Sequence, residues 1–491
     1  MTADKWNWAT ARHLLNRAGF GGKPSEIAAF EKVGRDGSVE ALFELQNQPQ
    51  EMPDWLAEDE NFSAQKFRSM SQAERKKLQR RNRKRMRELQ LAWVNRMIAT
   101  RTPAEMLAEK MTFFWHGHFA TSVQKVKHPL FVFKQLHLFH EHATGSFRDL
   151  LLSITRDPAM LRYLDNNQNR KGKPNENFAR ELVELFSLGP GHYNEQDVKE
   201  AARAFTGWSN DRFNFKFRTA QHDFGQKTFL GQTGDFDGQE VVNIILDQPA
   251  CAEFMTRKIL GYFGFEPVSG TVVRDLADAF RNSDYDIKTL LRRMFAHDDF
   301  YTSQVMGSQI KSPVQLVVGT ARTLDLRTDN ETFYLHALDM MGQVPYVPPN
   351  VKGWPGGRTW IDTSRLLTRF TFAQIVTQGK IPAEIDPRSE PNARRERGKV
   401  SRPRRDKAAR KMMRMGHLRL DFEPESLASP QGSPDETLGG VARILLSQEM
   451  TAQERAMILA NYQSSMSRTN KRQALRYLIG DIMTLPAYQL V

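Results

Sequence analysis

The 491-residue chain has one cysteine, no long apolar segment and fewer acidic than basic side chains. Cys251 has no partner in the chain, which excludes a fold held together by disulfides. No apolar run approaches the roughly 18 residues of a membrane helix, and the first residues lack the basic-then-apolar pattern of a signal peptide. We therefore expect no membrane span and, by default, a cytoplasmic location, with the cell envelope or export with a partner as the alternative.

Hydrophobic residues make up 40% of the chain, which excludes a wholly disordered or collagen-like protein. Helix signals dominate: Ser71 with Glu74 forms a capping box, Thr102-Pro103 opens another helix, and Ser312-Pro313 opens a third. Further helices are indicated over 175–188 and 194–206. The exception is the aromatic alternation at 213–217 followed by 229–231, which predicts one β-hairpin. The predicted fold is mainly α, a large helical body with one small β-hairpin element and a disordered basic insertion.

The net charge of +13 is confined to two runs. Residues 71–90 contain nine Lys or Arg against two acids, residues 394–419 contain twelve against two, and the remainder sums to about −4. We predict a helical domain over 1–380 with a basic helical insertion at about 71–90. A disordered basic insertion then covers 381–439, and C-terminal helices over 440–491 pack back on the body. Neither run carries the interleaved aromatics typical of nucleic-acid binding.

Six of the twelve histidines fall between 116 and 142. His116 and His118 lie where the helix opened by Pro103 is expected to end, and Gly117 between them allows a turn in which both imidazoles face one ligand. On a continued helix they would point in roughly opposite directions. The alternative is a helix end at which the imidazoles cap carbonyls or pack beside Trp115 and Phe119.

The predicted helix over 175–188 has one apolar face and one polar face. Glu181 and Glu184 are neighbours at i, i+3 on the polar face, and Asn177 lies one turn earlier. Two such carboxylates could hold a divalent cation or act as acid and base. The alternative is a set of surface ion pairs among Glu176, Arg180 and Glu184.

Five segments together resemble the bacterial family called domain of unknown function 1800. They are Ala11-Arg-His-Leu-Leu-Asn-Arg-Ala-Gly-Phe-Gly21, Phe113-Phe-Trp-His-Gly-His-Phe119, Asn175 to Gly189, His222-Asp223 to Gly231, and Pro348-Pro-Asn-Val-Lys-Gly-Trp-Pro-Gly-Gly357. The resemblance implies a predominantly helical fold and supplies no established reaction or catalytic residue. It also implies a possible partner, because members are often encoded beside a secreted, alkaline-phosphatase-like family. This chain differs from many members in lacking an export signal and in its two basic runs.

Two of these segments also carry plausible chemistry. His222 and Asp223 are expected in the turn of the predicted hairpin, where they could ligate a metal or transfer protons, or simply form a polar turn. The segment 348–357 is rich in glycine. Within it, Trp354 offers a flat apolar surface and Lys352 supplies positive charge. The segment could form the wall of a pocket for an anionic or sugar-like ligand, or close over the core.

Three functional hypotheses follow. The first is an enzyme, a metal-assisted hydrolase or transferase acting on a polar or envelope-type substrate; the second is a non-catalytic protein that works with the phosphatase-like neighbour; the third is nucleic-acid binding through the basic runs. The cofactor is unknown, and a divalent metal is one candidate. For the enzyme, the predicted catalytic residues are His116, His118, Glu181, Glu184, His222 and Asp223. The predicted substrate-binding residues are Asn177, Arg180, Lys352 and Trp354. The predicted metal ligands are His116, His118, Glu181 and Glu184.

Overall fold

The fold is described from a computed structural model, which covers residues 6–44, 52–60, 69–379, 419–428 and 432–491. Helices fill most of this described chain, so the predicted mainly α fold is confirmed. The helices that precede the first strand are α1 (Trp8–Ala18), α2 (Pro24–Glu40), α3 (Asp54–Glu60), α4 (Gln72–Ala99), α5 (Pro103–His118), α6 (Val123–Val126), α7 (Pro129–Glu141), α8 (Phe147–Thr155), α9 (Pro158–Tyr163), α10 (Asn177–Glu181), which continues as a π-helix (Leu182–Ser187), and α11 (Glu195–Ala204).

Helices resume after the small sheets. They are α12 (Gly238–Asp247), α13 (Pro249–Tyr262), α14 (Gly270–Asn282), α15 (Ile287–Ala296), α16 (Pro313–Thr323), α17 (Thr332–Met341), α18 (Thr363–Gln378), α19 (Pro434–Leu445), α20 (Ala452–Arg468) and α21 (Lys471–Met483). None of the described helices combines the length and the apolar character needed to cross a membrane.

Local capping explains where many of these helices begin. The side chains of Ser71, Thr102, Asn194 and Ser312 each accept a hydrogen bond from the backbone N–H three residues further on, at 3.1 to 3.3 Å. These bonds satisfy donors that the first helical turn leaves without a partner. The helix starts expected from the sequence are confirmed at all four positions.

The described strands form three two-stranded antiparallel sheets: β1 (Trp208–Asp211) with β2 (Asn214–Phe217), β3 (Lys227–Phe229) with β4 (Gln232–Gly234), and β5 (Arg327–Thr328) with β6 (Leu420–Asp421). The single predicted hairpin near 213–230 is therefore two hairpins. Leu230 and Gly231 both have positive φ, which closes the second hairpin as a tight local turn. As a correction to the expectation, His222 and Asp223 lie in the connection between the hairpins and not in a hairpin turn.

Two hydrophobic cores stabilise the protein. The first contains side chains from α1 to the segment around Val305, and the second combines α4, α7, α16, α17 and α18 with the C-terminal helices. Helix α5 contributes to both, because Met111, Phe114 and Trp115 pack in the first core while Phe113 packs in the second. A cavity lies at the face of α5 between the two cores.

The first basic run forms a helix that is exposed at one end and buried at the other. Its N-terminal half is solvated, whereas Met86, Leu89, Trp93 and Met97 are buried in the second core. The apolar stripe in the second half of the sequence segment predicts this difference. The basic residues of 71–90 are thus carried on the projecting part of α4.

The segment predicted as a disordered insertion over 381–439 lies mostly outside the described residues, which include only 419–428 and 432–439 of it. Within those stretches, Leu420, Phe422, Leu427 and Leu438 are buried in the second core. The stretches therefore belong to the packed body, because four large apolar side chains supply enough buried area to order them. The final helices α20 and α21 then pack against each other, and α21 packs against α18.

Candidate functional site

A cavity lies between α5, α13 and the glycine-rich segment that follows Pro348. Its volume is about 670 Å³, within the range typical of small-molecule sites. Three lysines line it, Lys110 on α5, Lys258 on α13 and Lys352 on the glycine-rich segment, and we call it the lysine pocket. The other lining residues used below are Phe20, Phe113, His118, Tyr262, Gly264, Glu266, Gln309, Gln315, Gln343, Trp354 and Arg358.

One wall of the lysine pocket is aromatic. The Trp354 ring stacks on Phe113 with a centroid distance of 5.6 Å and an interplanar angle of 14°. The chain reaches this position because Gly353 has a φ of 75° and its backbone lies against Gly117, so that a Cβ at Gly353 would be 2.2 Å from the Gly117 carbonyl oxygen. The glycine-rich segment is thereby fixed on α5 and forms the pocket wall that the sequence indicated.

Lys110 lies at the bottom of the pocket and is only 3% exposed. Its Nζ is 5.1 Å from the centroid of the Phe20 ring and 5.4 Å from that of the Tyr262 ring. No carboxylate of the described chain forms an ion pair with it. Burial, reinforced by the nearby charge of Arg17, lowers the pKa of Lys110 to about 7.

Arg17 lies behind the pocket and adds buried positive charge. Its guanidinium donates to the carbonyl oxygens of Phe263 and Val305 at 2.9 and 2.7 Å, and burial lowers its pKa to about 9. Gly264 has a φ of 68°, and a Cβ there would lie 1.4 Å from an Arg17 nitrogen. Only a glycine leaves room for the guanidinium behind this wall of the pocket.

The mouth of the pocket carries more cations than anions. Lys258 is exposed, and desolvation followed by the charge of Lys352 lowers its pKa. Lys352 and Arg358 are exposed, and Glu266 is the carboxylate among the described lining residues. The potential inside the pocket is therefore positive.

His118 belongs to the pocket lining, but its ring is anchored from behind. Its Nε2 lies 3.1 Å from the Phe186 carbonyl oxygen and donates to it, while Nδ1 is buried without a hydrogen-bond partner. Desolvation and the charge of Lys258 lower the pKa of His118 well below its ordinary value. The imidazole is consequently neutral, with an unused acceptor at Nδ1.

His116 faces away from His118. Helix α5 runs to His118, so the two residues are about 200° apart around the helix axis, and the expected turn at Gly117 is absent. His116 Nε2 accepts a hydrogen bond of 2.9 Å from the Tyr346 backbone, and its ring contacts Trp93 and Trp354. Burial lowers the pKa of His116 to about 3, which suits the alternative of a packed, neutral histidine.

Glu181 directly precedes the π-helix, and Glu184 lies within it. Glu184 Oε1 is 3.9 Å from Lys352 Nζ, which connects this carboxylate to the mouth of the lysine pocket. Burial, followed by the charge of Glu184, raises the pKa of Glu181. The sequence pattern predicts an α-helix here, and a π-helix, which often occurs at functional sites, would not be expected from periodicity.

The other predicted substrate-binding residues of this helix are engaged with protein groups. Asn177 Nδ2 donates to the Leu164 carbonyl oxygen at 3.0 Å. Arg180 forms a two-bond ion pair with Glu195, both distances being 2.7 Å, and a further bond to Glu176. Neither residue lines the lysine pocket, and Arg180 fits the alternative of surface ion pairs.

His222 and Asp223 lie in different surroundings from the lysine pocket. His222 Nδ1 donates to the Thr206 carbonyl oxygen at 2.8 Å, and its ring contacts Phe217 and Phe224. Asp223 accepts a 2.9 Å hydrogen bond from Arg203, whose donation lowers the pKa of this carboxyl. Both side chains are satisfied by neighbours within their own segment of the chain.

The predicted metal ligands do not form one coordination sphere. Over the described residues, no group of three or more His, Cys, Asp or Glu side chains is placed to hold a metal ion. The physical reason is visible at the histidines: His116 and His118 point apart and each uses Nε2 in a bond to the backbone. Of the ten predicted site residues, the pocket lining contains His118, Lys352 and Trp354.

Sequence reasoning missed Lys110 and Lys258, one buried and one exposed lysine of the pocket. A signal was present for Lys110, because Met106, Leu107, Phe113 and Phe114 lie three or four residues from it on the same helical face. A lysine on an apolar helical face requires either a partner or a cavity. Lys258 carries no comparable signal, since its position depends on how α13 packs beside α5.

The fold and the site define a mainly helical protein with a cationic, partly aromatic pocket between two hydrophobic cores. The sequence profile of the family described as protein of unknown function (DUF1800) matches residues 13–490. The chain belongs to this family, as the motif resemblance indicates. A search of the curated proteins and a search of the solved structures each gave no match.

Proposed function

We propose that the lysine pocket binds a small anionic ligand with a sugar-like body, such as a sugar phosphate or a sugar acid. The observation that carries this proposal is Lys110, a buried ammonium group that faces the pocket with no carboxylate partner in the described chain. A buried unpaired charge is unfavourable, and an anion within about 4 Å would offset the lost hydration. The ligand thus supplies the counterion that the protein omits.

The polar body of the ligand is inferred from two fixed amides. Gln315 Nε2 donates to the Asn16 carbonyl oxygen at 3.1 Å, and Gln343 Oε1 accepts from the Val314 backbone at 2.9 Å. These bonds fix the orientation of both amides and leave one acceptor, Gln315 Oε1, and one donor group, Gln343 Nε2, for hydroxyl groups in the pocket. The Trp354 ring offers a flat apolar surface beside them, as sugar rings require.

Thermal unfolding with three probes tests the proposal. Glucose 6-phosphate should raise the melting temperature more than inorganic phosphate, and glucose alone should have little effect, because the charge supplies most of the affinity. Lys110→Met keeps the length of the side chain and removes the charge, so it should abolish the stabilisation by both anions. Lys32→Met, at an exposed lysine away from the pocket, is the matched control. Equal stabilisation of Lys110→Met and the wild type would contradict the proposal.

A second candidate function is a transfer or hydrolysis reaction on the same ligand. It is favoured by the pKa of Lys110, lowered to about 7, since a general base is most effective when its pKa is near the working pH. Release of phosphate from sugar phosphates should then require Lys110 and increase as the pH rises above about 7, because the bound anion raises the pKa at which the Lys110 amine becomes neutral. Binding without release of phosphate would agree with the first proposal and not with the second. The phosphatase-like partner, the bound metal and the nucleic-acid ligand remain predictions from the sequence.

A further inference from the structure

A second cavity lies at the junction of the N-terminal helix and the C-terminal helices. Its volume is about 560 Å³, and it separates the start of α1 from the segment 439–450 and Arg455. We call it the Arg12 cleft, since Arg12 lines it and is 6% exposed. The cleft shares no lining residue with the lysine pocket.

Two hydrogen-bond donors in the lining of the Arg12 cleft have no acceptor. They are Nε of Arg12 and Nε1 of Trp8, which are both buried without a partner in the described structure. Trp8 and Arg12 are at i, i+4 on α1 and therefore lie on the same face of the helix. Two unsatisfied buried donors on one face are rare, and they point to an acceptor that the protein itself does not provide.

The charges around the cleft single out Arg12. Arg455 is paired with Asp435 at 2.7 Å, and Arg443 lies 4.7 Å from the Trp8 ring centroid and 4.0 Å from Glu31. Arg12 has no carboxylate partner in the described chain. Its Nη1 donates to the Arg443 carbonyl oxygen, which leaves the edge formed by Nε and Nη2 for a ligand.

Further cations lie behind Arg12. Lys311 lies half-buried over the Tyr488 ring, with its Nζ 3.9 Å from the centroid, and desolvation followed by the charges of Arg12 and Arg369 lowers its pKa to about 7. Arg369 is satisfied by oxygens of Trp360, Gln489 and Lys311, not by an acid. This part of the interior is therefore positive and favours an anion at the cleft.

We propose that the Arg12 cleft binds an organic carboxylate with an apolar portion. The Nε–Nη2 edge of an arginine matches the two oxygens of a carboxylate, and the Trp8 indole N–H can donate to the same group. The apolar portion fits the opposite side of the cleft, where Ala442, Leu446 and Met450 line it. A bound carboxylate contacts both chain ends and so stabilises the docking of the C-terminal helices on α1.

The test uses the full chain and three probes: hexanoate, inorganic phosphate and the neutral hexanol. The readout is the indole N–H NMR signal of Trp8, assigned with Trp8→Phe. Hexanoate should shift this signal in a saturable manner and raise the melting temperature. Phosphate and hexanol should bind at least about tenfold more weakly, because one lacks the apolar portion and the other lacks the charge.

Two variants connect the effect to the cleft. Arg12→Lys keeps the charge without the two-donor edge and should weaken hexanoate binding about tenfold. Ala442→Trp fills the cleft, leaves Arg12 in place and should also abolish the shift of the Trp8 signal. This variant tests the site even if Arg12→Lys does not fold. Lys110→Met should bind hexanoate normally. The inference is overturned if hexanoate gives no saturable shift, if Ala442→Trp retains it, or if phosphate binds as tightly as hexanoate.

Discussion

Two regions of this protein hold charged side chains, and they differ in how that charge is balanced. On the surface around α10 and α11, which we call the ion-pair surface, Arg180 is paired with Glu195 and Arg203 with Asp223. In the lysine pocket, Lys110 and Arg17 are buried without a carboxylate partner among the described residues. Balanced charge needs no ligand, whereas a buried ammonium group without an acceptor favours one, and this difference supports the proposal that the lysine pocket is the site.

The largest expected effect concerns the glycine that holds Arg17 behind the lysine pocket. Gly264→Ala places a Cβ 1.4 Å from an Arg17 nitrogen, at a φ of 68° that side chains rarely adopt. We expect a loss of about 3 kcal/mol in the free energy of unfolding, measured by urea denaturation. Gly231→Ala is the control: its φ is also positive, at 79°, but no atom lies within 4 Å of the added Cβ, so about 1 kcal/mol should be lost.

The next effect is the pH dependence of stability due to Lys110. Its pKa is about 7 in the folded protein, below the ordinary value of 10.5, so between these values the unfolded chain binds more protons. The free energy of unfolding should therefore rise with pH across this window, by up to about 1.4 kcal/mol per pH unit from this one group. Lys110→Met should lose that slope and be at least as stable as the wild type at pH 7. An unchanged slope in Lys110→Met would mean that folding does not lower the pKa of Lys110.

A smaller effect is expected on the ion-pair surface. Arg203→Gln removes the partner of Asp223, which is partly buried, and of Glu200, which is buried. We expect a loss of about 1 kcal/mol in stability and no change in the binding of glucose 6-phosphate. Arg274→Gln, at an exposed arginine that contacts only Thr271, provides a control near zero. If Arg203→Gln lost glucose 6-phosphate binding, the ion-pair surface would have to be part of the ligand-binding site.

The smallest effect is expected at Glu181. Burial and Glu184 raise its pKa, so its charged form is disfavoured in the folded protein. Stability contributed by the protonated form is present at low pH and is lost as the pH rises through the raised pKa. Glu181→Gln should therefore stabilise the protein by less than about 1 kcal/mol at pH 7 and have no effect at pH 4. Destabilisation at pH 7 would indicate that the Glu181 carboxylate has a structural partner.

Local chemistry made the fold predictable in outline. Caps such as Ser71 with Glu74 and Asn194 with Asp197 lie within a few residues of the bonds they form, so the helix starts could be read from the sequence. The end of α5 could not, since Gly117 stays helical where the distant Gly353 packs on it. The π-helix and the pairing of β1 with β2 likewise depend on packing that local patterns do not encode.

The site was predictable only in part, and for a related reason. The composition of the glycine-rich segment with Lys352 and Trp354 allowed two interpretations, a pocket wall or closure over the core, and the segment lines the lysine pocket. The sequence shows that His222 and Asp223 are ionisable, but it does not show whether their charges are balanced. That balance depends on tertiary contacts, such as the ion pair of Asp223 with Arg203. For Lys110 the opposite holds, because its lack of a carboxylate partner is visible only in the structure. There its Nζ lies over the rings of Phe20 and Tyr262.

The most direct test of the central claim is the pKa of Lys110 with and without a ligand. Lysines labelled with carbon-13 at Cε report their ionisation by NMR, and Lys110→Met assigns the signal. We expect two lysines, Lys110 and Lys311, to titrate near pH 7 in the free protein. The pKa of Lys110, but not that of Lys311, should rise by more than one unit with saturating glucose 6-phosphate, because the anion bound in the lysine pocket favours the ammonium form. A Lys110 that titrates near 7 and does not respond to any anionic probe would contradict the account.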